Sequence, residues 1–191
     1  LISQIKGDGS PAIIVCSYGN RDYEDTLVEL EDLLEANGFR IVSAAAFIAR
    51  HSVFGNVASD RPDADDKRII DDFGRKSWQI LSGITDAAAI PDMKIKGNRP
   101  YRDIQQVPLY PTGDETCTDC KKCAEECPTH AIMPESPTKT DESKCISCGR
   151  CIVLCPVGSR SYHYPFFEKK SLEFETANSE RKEPELFYAV Y

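Results

Sequence analysis

Eight of the nine cysteines in this 191-residue chain fall between Cys117 and Cys155, and they form two copies of one pattern. The first copy is Cys117-x2-Cys120-x2-Cys123-x3-Cys127-Pro128, and the second is Cys145-x2-Cys148-x2-Cys151-x3-Cys155-Pro156. Chance does not supply such a run twice. Three thiolates on a tight C-x2-C-x2-C loop reach three iron corners of a cubane cluster, and the wrapped backbone turns N–H groups toward the sulfurs. The fourth thiolate must come from elsewhere. Pro128 and Pro156 fix φ and bring no N–H needing a partner, which suits a sharp exit beside a buried anionic group. Ala131, Ile132, Ile152, Val153 and Leu154 are the expected apolar cover.

Zinc and disulfides are the competing uses of such cysteines. Paired C-x2-C units hold zinc tetrahedrally, but two pairs suffice, and the overlapping third cysteine and the Cys-Pro ending stay unexplained. Disulfides need an oxidising compartment, and the first residues, Leu1 to Gly9, lack the apolar core of a secretory signal. Cys16 stands apart in an apolar run and reads as a small buried thiol.

The rest of the chain is ordered as an α/β region. Ala12–Cys16 reads as a buried strand ending in the loop Tyr18-Gly19-Asn20-Arg21. From Asp22, Tyr23, Leu27, Leu30, Leu33 and Leu34 recur at helical spacing up to Gly38. Arg40–Phe47 gives a second strand, so the order predicts a βαβ unit with parallel strands. A further helix is expected over Asp65–Leu81, packed on one face of the sheet, with the charge run Arg61 to Arg68 on solvated surface. Proline at positions 91, 100, 108 and 111 marks an extended connector. The organisation expected is therefore an α/β region at 1–100, a linker at 101–112, a cysteine domain at 113–165, and a tail at 166–191 with a short helix. Two parallel strands do not make a self-sufficient sheet, so the reading expects a natural polypeptide longer at its N-terminus, or another chain completing the sheet.

Net charge is −8, split evenly between the two halves, which excludes a nucleic-acid binder and predicts redox partners with a basic docking face. No apolar stretch approaches the roughly 20 residues of a membrane helix, and the expected location is the cytoplasm. His51, His130 and His163 have no nucleophile or carboxylate at a motif spacing, so packing or surface roles are expected for them. Lys121 and Lys122, inside the first run, read as solvated side chains.

On its cysteine runs, residues 113–165 resemble bacterial ferredoxins with two [4Fe–4S] clusters. The short motifs Tyr18-Gly19-Asn20-Arg21, Ala45-Ala46-Phe47, His51-Ser52, Arg61-Pro62-Asp63, Arg160-Ser161 and Glu183-Pro184-Glu185-Leu186-Phe187 extend the resemblance to the EFR family. That family fuses a flavodoxin-like domain to such a ferredoxin. The resemblance implies a partial flavodoxin-like, doubly wound parallel sheet plus a small α+β ferredoxin domain, in an anaerobic bacterium. It implies that the last cysteine of each run crosses over, giving Cys117, Cys120, Cys123 and Cys155 for one cluster and Cys145, Cys148, Cys151 and Cys127 for the other. It also implies FMN at the carboxyl ends of the strands, with Tyr18, Gly19, Asn20 and Arg21 as its loop. The family's early phosphate-binding loop has no counterpart in these residues. The function expected is one-electron transfer; the alternatives are the electron-input domain of a flavin-dependent oxidoreductase and a zinc- or cluster-stapled structural module.

Overall fold

A computed structural model describes residues 2–103 and 108–189. In chain order its elements are β1 (Pro11–Tyr18), α1 (Thr26–Ala36), β2 (Arg40–Ile48), α2 (Ala64–Gly83), β3 (Thr112–Gly113), α3 (Lys122–Glu125), α4 (Arg150–Leu154), β4 (Arg160–Ser161), α5 (Phe167–Ala177) and β5 (Glu185–Tyr188). The chain divides into two compact units: residues 1–51, 56–103 and 178–191 form one, and residues 52–55 and 104–177 form the other. The expected linker is therefore shared out, with 101–103 in the first unit and 108–112 in the second; 104–107 lie outside the described residues.

The first unit is a mixed α/β layer structure around β2. Strands β1 and β2 pair in parallel from Pro11↔Arg40 to Tyr18↔Ile48, and β5 adds to the other edge of β2 antiparallel, from Ser43↔Tyr188 to Ala46↔Glu185. The sheet order is β1-β2-β5. A wholly parallel sheet was the expectation, and the third strand departs from it: a segment far along the chain returns and occupies the open edge of β2. Being central, β2 is buried from Ile41 to Ile48, and its run of alanines lets helices approach both faces. Ala44 and Ala46 pack with Leu27 and Val28 of α1, while Ala45 and Phe47 pack with Phe73 of α2. In this layer Ser43 and Ser77 are fully buried and mutually bonded at 2.7 Å, so neither hydroxyl is left without a partner.

Helix α1 begins later than the pattern from Asp22 suggests. Asp25 precedes it, but the Asp25 carboxylate accepts the backbone N–H groups of Asn98 and Arg102 instead of capping the helix. Gly38, at φ +87°, ends the helix region in a conformation that favours glycine. Helix α2 opens on a capping box: Asp63 accepts the N–H groups of Asp65 and Asp66, and Asp66 accepts that of Asp63. Here the expectation of a solvated charge run fails. Arg61 and Asp66 are 6% and 1% exposed and form a bidentate ion pair, and Arg61 also donates to the Lys182 carbonyl at 3.1 Å. Sequence cannot separate the inward members of an alternating charge run from the outward ones; burial against the returning C-terminal segment does.

Candidate metal centre

The second unit contains little regular structure. Strands β3 and β4 pair antiparallel through Gly113↔Arg160 and Thr112↔Ser161, and two short helices carry the third cysteine of each run, Cys123 and Cys151. What organises it is a repeated backbone path. In the first run Asp119, Lys121 and His130 have positive φ; at the corresponding positions of the second run so do Ser147, Gly149 and Gly158. Each C-x2-C-x2-C loop thus holds two residues in the left-handed region. Approach to each run is also repeated: Asp114 accepts from the N–H and hydroxyl of Thr116, and Asp141 does the same for Ser143.

The two copies differ where packing differs. At Gly149, φ +70°, a Cβ would lie 2.5 Å from the Ser52 carbonyl oxygen, and it is this close approach that demands glycine. Its counterpart Lys121 takes the same left-handed conformation with an exposed side chain.

Two hollows result. One is lined by Cys117, Cys120, Cys123 and Cys155, and the other by Cys127, Cys145, Cys148 and Cys151. Each quartet takes three cysteines from one run and the last cysteine of the other. Among the described residues no three His, Cys, Asp or Glu side chains converge closely enough to hold a single metal ion. A cubane with four thiolates fits this donor set in number and type, since soft sulfur ligands select iron–sulfur clusters.

The two Cys-Pro exits show why proline stands there. After Cys127-Pro128 the chain turns back at His130, and Ala131 N–H reaches the Cys127 sulfur at 3.3 Å. Burial raises the Cys127 pKa, but the N–H groups of Thr129, Ala131 and Ile132 together with the Thr129 hydroxyl outweigh it, and the net shift is downward. Cys155 behaves alike: burial is outweighed by N–H groups of Arg160, Val157, Ser159 and Gly158. Cys123, Cys145 and Cys151 are instead raised, chiefly by burial. The thiolate form is thus favoured at the two residues that cross between runs.

Ala131 and Ile132 are buried beside the cysteines, as expected of apolar cover, and Ile152 and Leu154 are half-buried. Val153 corrects that expectation: it is 79% exposed, on the outer face of α4. Lys121, Lys122, His130 and His163 are exposed. Arg160 is the residue that periodicity and spacing did not single out. It is 2% exposed and donates to the carbonyls of Pro137 and Pro111 and to the Thr140 hydroxyl. Ser159, at 1%, accepts from Asp114 N–H and completes the same buried layer.

The loop assigned to flavin lies in the first unit and is built into it. Tyr18 packs against Tyr23 with ring centroids 5.4 Å apart, Gly19 abuts His51, and Arg21 pairs with Glu24. Asn20, 3% exposed at φ +62°, donates its amide N–H groups to the carbonyls of Asn178 and Glu180 at 2.9 and 2.8 Å. The Asn20 side-chain amide thus ties down the chain leading into β5. Cys16, at the carboxyl half of β1, has its thiol pushed up to about 11, first by burial.

Comparison with known proteins agrees with the second unit. Residues 116–159 match the 4Fe-4S dicluster domain family. Among curated relatives, the chain is 46% identical over 41 residues to a component of an ion-translocating oxidoreductase complex of Methanosarcina acetivorans, covering 21% of this chain and 16% of that one. It is 30% identical over 69 residues to an uncharacterized ferredoxin of Methanocaldococcus jannaschii, covering 35% and 42%. It is 33% identical over 67 residues to a component of the NADH-quinone oxidoreductase of Symbiobacterium thermophilum, covering 29% and 28%. The chain spans less than half the length of these relatives. No helix among the described residues is long and apolar enough to cross a membrane. The chain contains a 4Fe-4S dicluster ferredoxin domain.

Proposed function

We propose that this chain transfers single electrons through two [4Fe–4S] clusters, one held by Cys117, Cys120, Cys123 and Cys155 and the other by Cys145, Cys148, Cys151 and Cys127. The observation that carries the reading is the pair of hollows, each lined by four cysteines drawn three and one from the two runs. When bound, such clusters supply reversible one-electron chemistry. The chain's own residues shape it: N–H groups around Cys127 and Cys155 favour thiolate, Ala131 and Ile132 exclude water, and the crossed cysteines staple the two halves of the fold together.

The relatives that are components of oxidoreductase complexes, and a net charge of −8, support a redox partner that presents a basic face. The same relatives also support the second reading, in which the domain feeds electrons to a larger oxidoreductase. FMN at the Tyr18–Arg21 loop rests on the family resemblance alone, and the Asn20 side-chain amide there is engaged by the Asn178 and Glu180 carbonyls. The EFR-like organisation remains an inference from short motifs spread along the sequence.

Anaerobic purification followed by assay of iron, zinc and acid-labile sulfide tests the proposal. About eight iron and eight sulfide per chain are expected for two cubanes. Stoichiometric zinc without sulfide would overturn it and favour a stapled structural module.

A further inference from the structure

Arg160 is a charged side chain 2% exposed whose hydrogen-bond acceptors, the carbonyls of Pro111 and Pro137 and the Thr140 hydroxyl, are all neutral. Its Nε has no partner among the described residues. A guanidinium keeps its charge under all ordinary conditions, so burying it without a counter-anion is costly. The position explains the cost. Arg160 and its acceptor Pro137 line the hollow with Cys117, Cys120, Cys123 and Cys155, while its acceptors Pro111 and Thr140 line the hollow with Cys127, Cys145, Cys148 and Cys151. The β3–β4 pairing through Gly113↔Arg160 fixes its backbone, and the planar fork holds the charge still.

We propose that Arg160 is a shared internal counter-cation for the two cysteine quartets, making both cluster sites easier to reduce. The proposal rests on the electron-transfer reading above. Each reduction adds one electron, delivered by a one-electron reductant. A fixed buried cation stabilises the more negative, reduced state more than the oxidised one, and low dielectric strengthens the effect. Arg160 is thus a positioning residue, acting on the clusters through charge and not as a ligand.

The test uses the full chain, purified anaerobically, with iron and sulfide content and EPR-monitored redox titration of wild type, Arg160→Gln and Arg160→Lys. Wild type without sulfide would refute the cluster reading itself, which separates that failure from this one. In loaded proteins, Arg160→Gln should shift both midpoint potentials in the negative direction, whereas Arg160→Lys should leave both near wild type. If the Gln variant fails to load, a Lys variant that loads at wild-type potentials supports the role of charge. Loaded Arg160→Gln at wild-type potentials, Arg160→Lys shifted as far as Gln, or loss of iron and sulfide in both variants would overturn the proposal.

Discussion

Removing the Asp66 carboxylate should destabilise the first unit more than any exposed ion pair could. Asp66→Ala leaves the Arg61 side chain, 3% exposed, with the Lys182 carbonyl at 3.1 Å and the Asp63 carboxylate at 3.8 Å as its remaining partners. Breaking a buried pair from one side costs about 3–5 kcal/mol, because the surviving charge stays buried. The lost hydrogen bond from Asp63 N–H adds about 1 kcal/mol, and the nearby Asp63 returns part of the loss, so about 3–4 kcal/mol is expected. Urea unfolding followed by far-UV circular dichroism reads this, since Asp66 lies in the first turn of the long helix α2. With a slope of about 2 kcal/mol per molar, the midpoint should fall by about 1.5–2 M. Asp66→Asn, which retains an acceptor for Asp63 N–H, should lie between wild type and Ala.

The pH dependence has a defined sign. The Arg61 hydrogen bonds hold the Asp66 carboxyl below its usual value, against burial. A depressed folded pKa contributes stability above the unfolded value of about 3.9 and loses it as pH falls through the folded one. The gap between wild type and Asp66→Ala should therefore stay constant from about pH 5 to 8 and narrow below about pH 4. A midpoint shift corresponding to less than about 1 kcal/mol, or a gap that does not narrow in acid, would refute the argument.

Three further outcomes follow from the geometry. Gly149→Ala must place a Cβ against the Ser52 carbonyl at a left-handed φ, so it should lower iron and sulfide retention, whereas Lys121→Ala at the corresponding position should not; metal assay separates them. Asn20→Ala removes two donors from the carbonyls of Asn178 and Glu180 and should cost about 1–3 kcal/mol in the same urea assay. Cys16, with its thiol pushed up to about 11, should resist alkylation at about pH 8 in the folded protein and label readily in urea, as mass spectrometry of the modified peptide would show.

The cysteine domain was legible because its information is local. Spacing along C-x2-C-x2-C dictates which sulfurs share a loop, and the Cys-Pro exits mark where the chain must turn back. β1, β2 and α2 were legible from apolar periodicity for the same reason, as the observed spans Pro11–Tyr18, Arg40–Ile48 and Ala64–Gly83 agree with the pattern to within a few residues. The start of α1 was less so, because Asp25 is claimed by Asn98 and Arg102, residues remote in sequence.

By itself, then, the sequence determined the two cysteine runs, the parallel βα order and the acidic surface, each a property of neighbours along the chain. Only the tertiary structure decided that Glu185–Tyr188 closes the open edge of β2, that Arg61 and Asp66 are inward members of a charge run, and that Arg160 is buried between residues lining both hollows. The reason is physical: an unpaired strand edge and a buried charge are satisfied by whatever groups folding brings near, and β5 for the β2 edge, Lys182 for Arg61 and Pro111, Pro137 and Thr140 for Arg160 all lie twenty or more residues away, where no spacing rule reaches.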